Sequence, residues 1–210
     1  MPPPPSVLQE VLGQWETFLH TDDDIPILIK IGLAHAQFET IHPFLDGNGR
    51  LGRLLITFLL VERNILQKPV LYLSYYFKQH RQEYYEILQN IRDTGDWETW
   101  LLFFLKGITE VSNEASRTVR KILLLREQHR NMITEKLGRA AGNGHKLLEN
   151  LFKSPIISVK NVQELTGTTY AAANQLVTRL IKLGILQEIT GYTRNRRFIY
   201  APYIALFGND

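Results

Sequence analysis

The chain has 210 residues, of which 44% are hydrophobic, enough for one sizeable domain or two small ones. Its formal net charge of +3 is small, and the absence of cysteine excludes a disulfide framework and a thiolate metal site. No apolar run reaches the roughly 18 residues of a transmembrane helix, and the N-terminus lacks the pattern of a signal peptide. We therefore expect a cytoplasmic protein without a membrane partner.

The first third of the chain is predicted to be helical. Pro2–Pro5 predicts a short extended stretch, and Val7–Leu19 predicts a helix with one apolar face. Pro26 is a helix-start signal. The helix that follows, to about Thr40, is apolar on nearly every side, which indicates burial at the centre of a bundle. A second buried helix is predicted to end near Asn64.

The middle of the chain is predicted to contain two more helical regions. Pro69–Ser74 predicts a connector, and Tyr75–Arg92 predicts one helix rich in aromatic and basic residues. Trp97–Met132 predicts a long helical region with a candidate break at Gly107. The small residues of Ala140–Gly144 make this segment the best candidate for a linker.

The sequence pattern changes at His145. Three short helices are predicted there, followed by two strands around a turn that contains Gly191. Helices that lead into a β-hairpin are typical of a winged-helix domain. The predicted segments are the helices His145–Phe152, Val159–Leu165 and Tyr170–Leu183 and the strands Ile185–Thr190 and Arg197–Ala201. We therefore predict a mainly α protein with a helical core at 1–139, a linker at 140–144 and a winged helix-turn-helix domain at 145–210.

The segment HPFLDGNGRLGR at positions 42–53 places polar, charged and glycine residues between the two apolar helices. Gly47 and Gly49 have no Cβ, so a ligand can approach their backbone closely. A helix that starts near Asn48 has unpaired N–H groups and a positive dipole end, which together can hold a phosphate. Arg50 and Arg53 share one helix face and offer planar forks that suit phosphate oxygens. The pattern predicts a site for a di- or triphosphate.

Two further residues of this segment have a chemistry of their own. Asp46 is a hard oxygen ligand, and Mg²⁺ typically takes one or two carboxylates together with substrate phosphates. His42 is a candidate general base, because histidine changes charge near neutral pH. A zinc pair of these two side chains is one alternative, but zinc needs three or four protein ligands, and no further His/Asp cluster supplies them. A glycine-rich loop with incidental charges is the other alternative.

The same segment resembles the signature of a known protein family. It matches the signature of the Fic family, His-x-Phe-x-[Asp/Glu]-Gly-Asn-Gly-Arg-x-x-Arg, at every defined position. The resemblance implies a helical Fic core and protein adenylylation, in which AMP moves from ATP to a Ser, Thr or Tyr hydroxyl of a target protein and pyrophosphate is released. It also implies Mg²⁺ or Mn²⁺ as the cofactor, and it leaves open whether the chain forms a homodimer.

The resemblance also implies roles for individual residues. His42 is implied as the general base and Asp46 as the metal ligand. Arg50 is implied to hold the β-phosphate region, and Arg53 to reach the γ-phosphate. The nucleotide-binding residues implied by the motif are Pro43, Phe44, Leu45, Asp46, Gly47, Asn48, Gly49, Arg50 and Arg53.

Two residues of the loop have further implied roles, and two residues outside it are candidate nucleotide contacts. Phe44 is implied as the hydrophobic anchor of the loop, and Asn48, with the neighbouring glycine backbone, as the holder of the α- and β-phosphates. The aromatic helix lines the adenine and ribose pocket in the family, so His80 is a candidate nucleotide contact, with a surface histidine as the equal alternative. Gln37, one turn before the motif, could also reach the nucleotide.

The predicted winged-helix domain has two interpretations. Its basic wing and third helix could contact the phosphates and base edges of DNA, or it could be a docking or dimerisation module. The candidate DNA contacts are Tyr170, Asn174, Arg194, Arg196 and Arg197. A DNA-binding regulator whose Fic core senses a nucleotide or docks a target is therefore the alternative to an enzyme.

Two features of the family pattern are not found in this sequence. No β-hairpin flap precedes the prolines, and Ser6–Glu10 has only the first half of the inhibitory pattern [Ser/Thr]-x-x-x-Glu-[Gly/Asn], because Val11 follows it. We therefore expect an N-terminally short member in which Arg53 has no intramolecular glutamate partner and the reverse removal of AMP is absent. Some relatives transfer other phosphate groups, but the complete Gly-Asn-Gly-Arg-x-x-Arg half of the motif favours AMP transfer.

Overall fold

Helices dominate the computed structural model, which describes residues 2–21, 23–67 and 72–207. The mainly α fold predicted from the sequence is confirmed. The chain divides into two compact units, residues 1–115 and 116–210. Within the described ranges, no helix combines the length and the apolar character that crossing a bilayer requires.

The first unit is built from helices alone over its described residues. They are α1 (Pro5–His20), α2 (Ile27–Ile41), α3 (Asn48–Glu62), α4 (Leu73–Gln79), α5 (Arg81–Thr94) and the first part of α6 (Trp97–Leu137). A proline stands at the first position of α1, where the missing N–H would have no helical partner in any case. The predicted connector Pro69–Ser74 falls partly outside the described residues, and α4 already begins within it.

Helix α2 lies at the centre of the first unit, as its apolar pattern predicted. Two indole N–H groups hold it between its neighbours. Trp100 of α6 donates to the carbonyl of Gly32 at 2.9 Å, and Trp15 of α1 donates to the carbonyl of Ala34 at 2.9 Å. A tryptophan side chain combines a large apolar ring with one polar donor. Each of these side chains therefore packs against α2 with its ring and fixes the position of α2 with its hydrogen bond.

Two glycines allow close packing in this unit. A Cβ on Gly52 would lie 2.5 Å from Oε1 of Glu39, so α2 and α3 approach each other there because α3 has no side chain at that position. A Cβ on Gly107 would lie 2.6 Å from the Tyr76 ring. The break predicted at Gly107 is wrong, since α6 continues through it. The glycine accommodates the tyrosine ring instead of ending the helix.

The single helix predicted at Tyr75–Arg92 is interrupted. Helix α4 ends at Gln79 and α5 begins at Arg81, while His80 between them has φ −102° and ψ 36°. Neither proline nor glycine marks this point, so the sequence pattern could not predict it. At the break the His80 ring packs on the Tyr76 ring, with 4.5 Å between the ring centroids.

The second unit combines short helices with a three-stranded antiparallel sheet. After the last part of α6 come α7 (Ala141–Leu151), β1 (Ile156–Ser158), α8 (Val159–Thr166), α9 (Tyr170–Lys182), β2 (Gln187–Glu188), β3 (Arg197–Ile199) and α10 (Ala201–Ile204). The strand order is β1–β3–β2, and the buried residues Ile157 and Phe198 face each other in the β1–β3 pair. The sequence did not predict β1, because three residues are too few to show a period. The two predicted strands are shorter than expected, and the winged-helix assignment stays a prediction.

The segment Ala140–Gly144, expected as a linker, is helical. A 3₁₀ turn at Gly138–Ala140 leads directly into α7. A Cβ on Gly144 would lie 2.7 Å from Leu137 and 2.8 Å from Ile133, so this glycine lets α7 pack closely on α6. Small residues here serve packing, although in sequence they resemble a flexible joint. The division into two compact units falls at residues 115 and 116, within α6, and the predicted domain limits remain a prediction.

Candidate functional site

His42 ends α2 and starts the motif loop, residues 42–48. Pro43 follows it, and a residue before proline is disfavoured in the right-handed helical region. His42 instead takes the left-handed conformation, with φ 50° and ψ 58°, while its N–H still bonds to the carbonyl of Phe38 at 2.9 Å. Histidine is among the residue types enriched in this conformation. The turn leaves the imidazole exposed, where an external group can reach it.

The buried Asn48 side chain holds the motif loop together through hydrogen bonds to the loop backbone. Its side-chain oxygen accepts a hydrogen bond from the backbone N–H of Phe44 at 2.9 Å, and its amide nitrogen donates to the carbonyl of Phe44 at 2.6 Å. Asn48 is only 2% exposed, whereas Phe44 is 51% exposed. The anchoring role expected for the Phe44 side chain is therefore not what the structure shows. The loop is held through the Phe44 backbone, and the Asn48 amide predicted to face a phosphate is engaged there.

Replacing Asn48 with alanine is expected to loosen the loop and lower the free energy of unfolding by about 1–3 kcal/mol, because two hydrogen bonds are lost. Urea unfolding followed by tryptophan fluorescence measures this, because Trp15, Trp97 and Trp100 all lie in the first unit. Asn90→Ala on the exposed surface of α5 is the matched control. Equal unfolding midpoints for the two variants would contradict this function of Asn48.

The N-terminus of α3 faces the end of the motif loop. Gly47 has φ 86°, a conformation that glycine adopts without strain, and it turns the chain into the helix. Oδ1 of Asp46 accepts the N–H of Gly47 at 2.7 Å. The first N–H groups of α3 have no acceptor within the helix, and the helix dipole adds partial positive charge at the same end. Such a helix end suits an anion, and the phosphate site predicted from the sequence stays a prediction.

A cavity of about 530 Å³ opens beside α3. Its described lining residues are Arg50, Arg53, Tyr72, Ser74, Phe77, Lys78, Arg81, Tyr84 and Tyr85. Two of the four cations come from the motif, while Lys78 comes from α4 and Arg81 from α5. None of the described lining residues is acidic. We call this space the cationic cavity. The sequence did not indicate that Lys78 and Arg81 belong to it, because only the fold brings these two residues near the motif.

His35 lies fully buried beneath the site. Its Nδ1 is 3.0 Å from the carbonyl of Gly52 and its Nε2 is 2.9 Å from the Tyr84 hydroxyl. A carbonyl can only accept, so Nδ1 carries the proton and Tyr84 donates to Nε2. Burial lowers the pKa of His35 to about 4, against the opposing effect of the Gly52 hydrogen bond. His35 is thus a neutral core histidine that joins α2, α3 and α5.

Glu39 is a second buried titratable group, and the sequence analysis did not identify it. The residue is 6% exposed, and its Oε1 has no hydrogen-bond partner among the described residues. Burial raises the pKa of this carboxyl, while the positive charges of Arg53, His42 and Arg92 oppose the shift. From the sequence we expected no glutamate partner for Arg53. Arg53 and Glu39 form no ion pair, but the positive charge of Arg53 opposes the rise in the pKa of Glu39. The available signal was that Glu39 is the one acidic residue of α2.

His80 and Gln37 are not brought to the cationic cavity. His80 packs on Tyr76, and its Nδ1 lies 3.4 Å from Oε2 of Glu83. Gln37 lines a separate groove of about 300 Å³, together with Trp15, Phe18 and other residues of α1, α2 and α6. Their contact with a nucleotide remains a prediction.

The candidate DNA contacts of the second unit differ in their surroundings. Arg196 donates to Oδ1 of Asn174 at 2.7 Å, lies 3.6 Å from a Glu188 carboxylate oxygen, and stands over the Phe198 ring. It therefore holds the hairpin against α9. The remaining candidates are exposed: Tyr170, Arg194 and Arg197. Contact with DNA stays a prediction.

Sequence comparison connects the first unit with known proteins. Residues 1–60 match the family described as Fic/DOC. The chain is 42% identical over 65 residues to a probable protein adenylyltransferase of Aquifex aeolicus, covering 31% of this chain and 20% of that protein. It is 34% identical over 106 residues to the protein adenylyltransferase Fic of Culex quinquefasciatus, covering 49% of this chain and 20% of that protein. The chain thus spans about a fifth of the length of these relatives.

A structural comparison extends over both units. A Fic family protein from Desulfovibrio desulfuricans G20 superposes with a TM-score of 0.56 at 18% sequence identity. The match covers 95% of this chain and 57% of that one. At such low identity the likeness shows the fold alone.

Proposed function

Residues 1–60 carry the Fic/DOC match, and from that premise we propose that this chain transfers AMP from ATP to a hydroxyl group of a target protein. One observation carries the proposal. The exposed His42 stands at one end of the motif loop, and the N-terminus of α3 and the cationic cavity lie at the other. Four cations around one cavity suit an anion of high charge, such as a triphosphate. A titratable side chain near such a site can serve as a base.

In the proposed reaction the triphosphate lies against the first N–H groups of α3, with Arg50 and Arg53 directed at its oxygens. Donors fixed before the substrate arrives stabilise the charge that develops in the transition state. A ring nitrogen of His42 accepts the proton of the target hydroxyl as the hydroxyl oxygen attacks the α-phosphorus. The new O–P bond forms while the bond between the α-phosphorus and the bridging oxygen breaks, and pyrophosphate leaves.

Asp46 is the proposed ligand for Mg²⁺, or for Mn²⁺ in its place. Its carboxylate is exposed, with Oδ2 3.5 Å from Nη2 of Arg50. A single carboxylate at the edge of a phosphate site fits an ion that takes its other ligands from phosphates and water. When bound, such an ion neutralises charge on the phosphate oxygens. The other proposed partners are ATP and a target protein, with DNA contact and a homodimer as further proposals for the whole chain.

The test uses ATP labelled at the α-phosphate and, separately, at the γ-phosphate. Each is incubated with the protein, Mg²⁺ and a cell lysate, with a His42→Ala variant alongside. We expect α-label on protein, release of labelled pyrophosphate from the γ-labelled ATP, and no protein-bound γ-label. Protein-bound γ-label would replace AMP transfer with transfer of the terminal phosphate. Label transfer that is equal in the His42→Ala variant would remove His42 from the mechanism.

A further inference from the structure

Lys78 and Arg81 differ from those exposed helix cations that have an acidic neighbour one turn away. Lys106 lies 4.0 Å from Glu110, and Lys160 lies 3.9 Å from Glu164. Lys78 and Arg81 form no ion pair among the described residues, and the positions three and four residues away from each hold no acid. Their charges are therefore not neutralised by their own helices.

The one nearby acid on α5 is directed elsewhere. Glu83 lies two positions after Arg81, and its Oε2 lies 3.4 Å from Nδ1 of His80. The Arg81 guanidinium instead stands over the Tyr85 ring, 5.7 Å from its centroid. A cation held over an aromatic ring keeps its position while its N–H groups stay available. Arg81 is thus oriented without being neutralised.

The two charges also disfavour each other. Lys78 near the end of α4 and Arg81 at the start of α5 stand on either side of the helix break at His80, and like charges at one cavity repel each other. Both line the same cavity as Arg50 and Arg53, which approach from α3. Four positive side chains from three helices around one space of about 530 Å³ lack a counter-charge among the described lining residues. A ligand with several negative charges would relieve this repulsion.

We propose that Lys78 and Arg81 form an anion subsite in the same cavity as the motif arginines, which takes the outer phosphates of a polyphosphate chain and so favours nucleoside triphosphates over monophosphates. The inference rests on the proposed function, since it names further contacts for the same substrate. It adds binding residues that lie outside the motif segment. Their contribution is greatest for a ligand long enough to reach both pairs of cations.

The test measures the binding of inorganic tripolyphosphate, ATP and AMP by calorimetry to the full chain and to Lys78→Met, Arg81→Met and the double variant. Each single change is expected to weaken tripolyphosphate and ATP binding about three- to tenfold, since one charge-assisted contact is lost. AMP affinity is expected to stay unchanged. Lys106→Met, an exposed lysine of α6 that does not line the cavity, is the control. Lys78→Arg and Arg81→Lys, which keep the charge, are expected to retain most of the affinity.

Each possible result either supports or overturns the anion subsite. Wild-type affinity for tripolyphosphate in the double variant would overturn the subsite, as would an equal loss of AMP and ATP affinity, which would indicate a change of cavity shape. A wild-type chain that does not bind tripolyphosphate overturns it as well. If the expected pattern is found in a protein that transfers no α-label, the subsite stands and the proposed AMP transfer fails.

Discussion

Replacement of His42 by alanine is expected to lower the rate of AMP transfer by about 10²–10⁴-fold, the usual contribution of a general base. The imidazole is exposed and lies outside both hydrophobic cores, so its removal leaves the packing of α2 and α3 in place. ATP affinity should stay near the wild-type value, because the residues proposed for phosphate binding belong to the α3 N-terminus and the cationic cavity. Initial rates of α-label transfer at saturating ATP, together with calorimetry of ATP binding, separate the two quantities.

The left-handed backbone at His42 calls for a second variant. Alanine is disfavoured at φ 50°, so His42→Ala alone could act by shifting the motif loop. Asparagine tolerates this conformation and cannot serve as a base near neutral pH. We therefore expect His42→Asn to be as inactive as His42→Ala. An asparagine variant with near-normal transfer would show that the residue matters for the turn and not for proton transfer.

The motif segment and the burial of α2 before it were predictable because their signals are local. Helix α3 was also predicted to be buried, but it leaves Leu51, Leu54 and Phe58 exposed. Glycines, a helix start and two arginines within 42–53 predict an anion site from their spacing alone. The all-round apolar character of α2 likewise indicates burial without knowledge of its neighbours. These predictions depend on spacing along a single segment, which the sequence contains in full.

The residues that join the site through tertiary contact were not predictable in this way. Lys78 and Arg81 reach the cationic cavity only because α4 and α5 pack near α3. Gly107 and Gly144 look like a helix break and a flexible joint, yet each makes room for a neighbouring side chain. Local sequence shows that a position lacks a Cβ, but only the fold shows which atom occupies that space.

The way in which the motif loop is anchored was also not predictable from the sequence. The resemblance to the Fic family implied that the Phe44 side chain is the apolar anchor of the loop. In the structure the loop is anchored by two hydrogen bonds between the Asn48 side chain and the Phe44 backbone. A carboxamide can satisfy one donor and one acceptor together, and it does so within one turn of chain. The Phe44 side chain is left about half exposed.

Acid is expected to destabilise the first unit through His35. The pKa of this residue is about 4 in the folded protein and 6.5 for an exposed histidine, so the unfolded chain binds the extra proton first as the pH falls. The stabilisation that neutral His35 gives to the folded state is therefore fully present above about pH 6.5. It decreases between pH 6.5 and 4 and does not change further below pH 4. Between pH 7.5 and 5 the loss amounts to about 2 kcal/mol of unfolding free energy. Glu39 acts in the opposite direction, since its raised pKa lets the folded state bind a proton more readily at low pH.

Urea unfolding at pH 7.5 and 5, followed by tryptophan fluorescence, measures this loss in the first unit, where the Trp100 ring lies 5.7 Å from the His35 ring. His35→Gln should be less stable at pH 7.5, because it disturbs the contacts with Gly52 and Tyr84, but its stability should fall less between the two pH values. Glu39→Gln is the matched comparison, and it should make the acid-induced loss steeper because the opposing group is gone. If wild type and His35→Gln lose equal free energy between pH 7.5 and 5, the acid sensitivity comes from other groups, and a buried neutral His35 is not its cause.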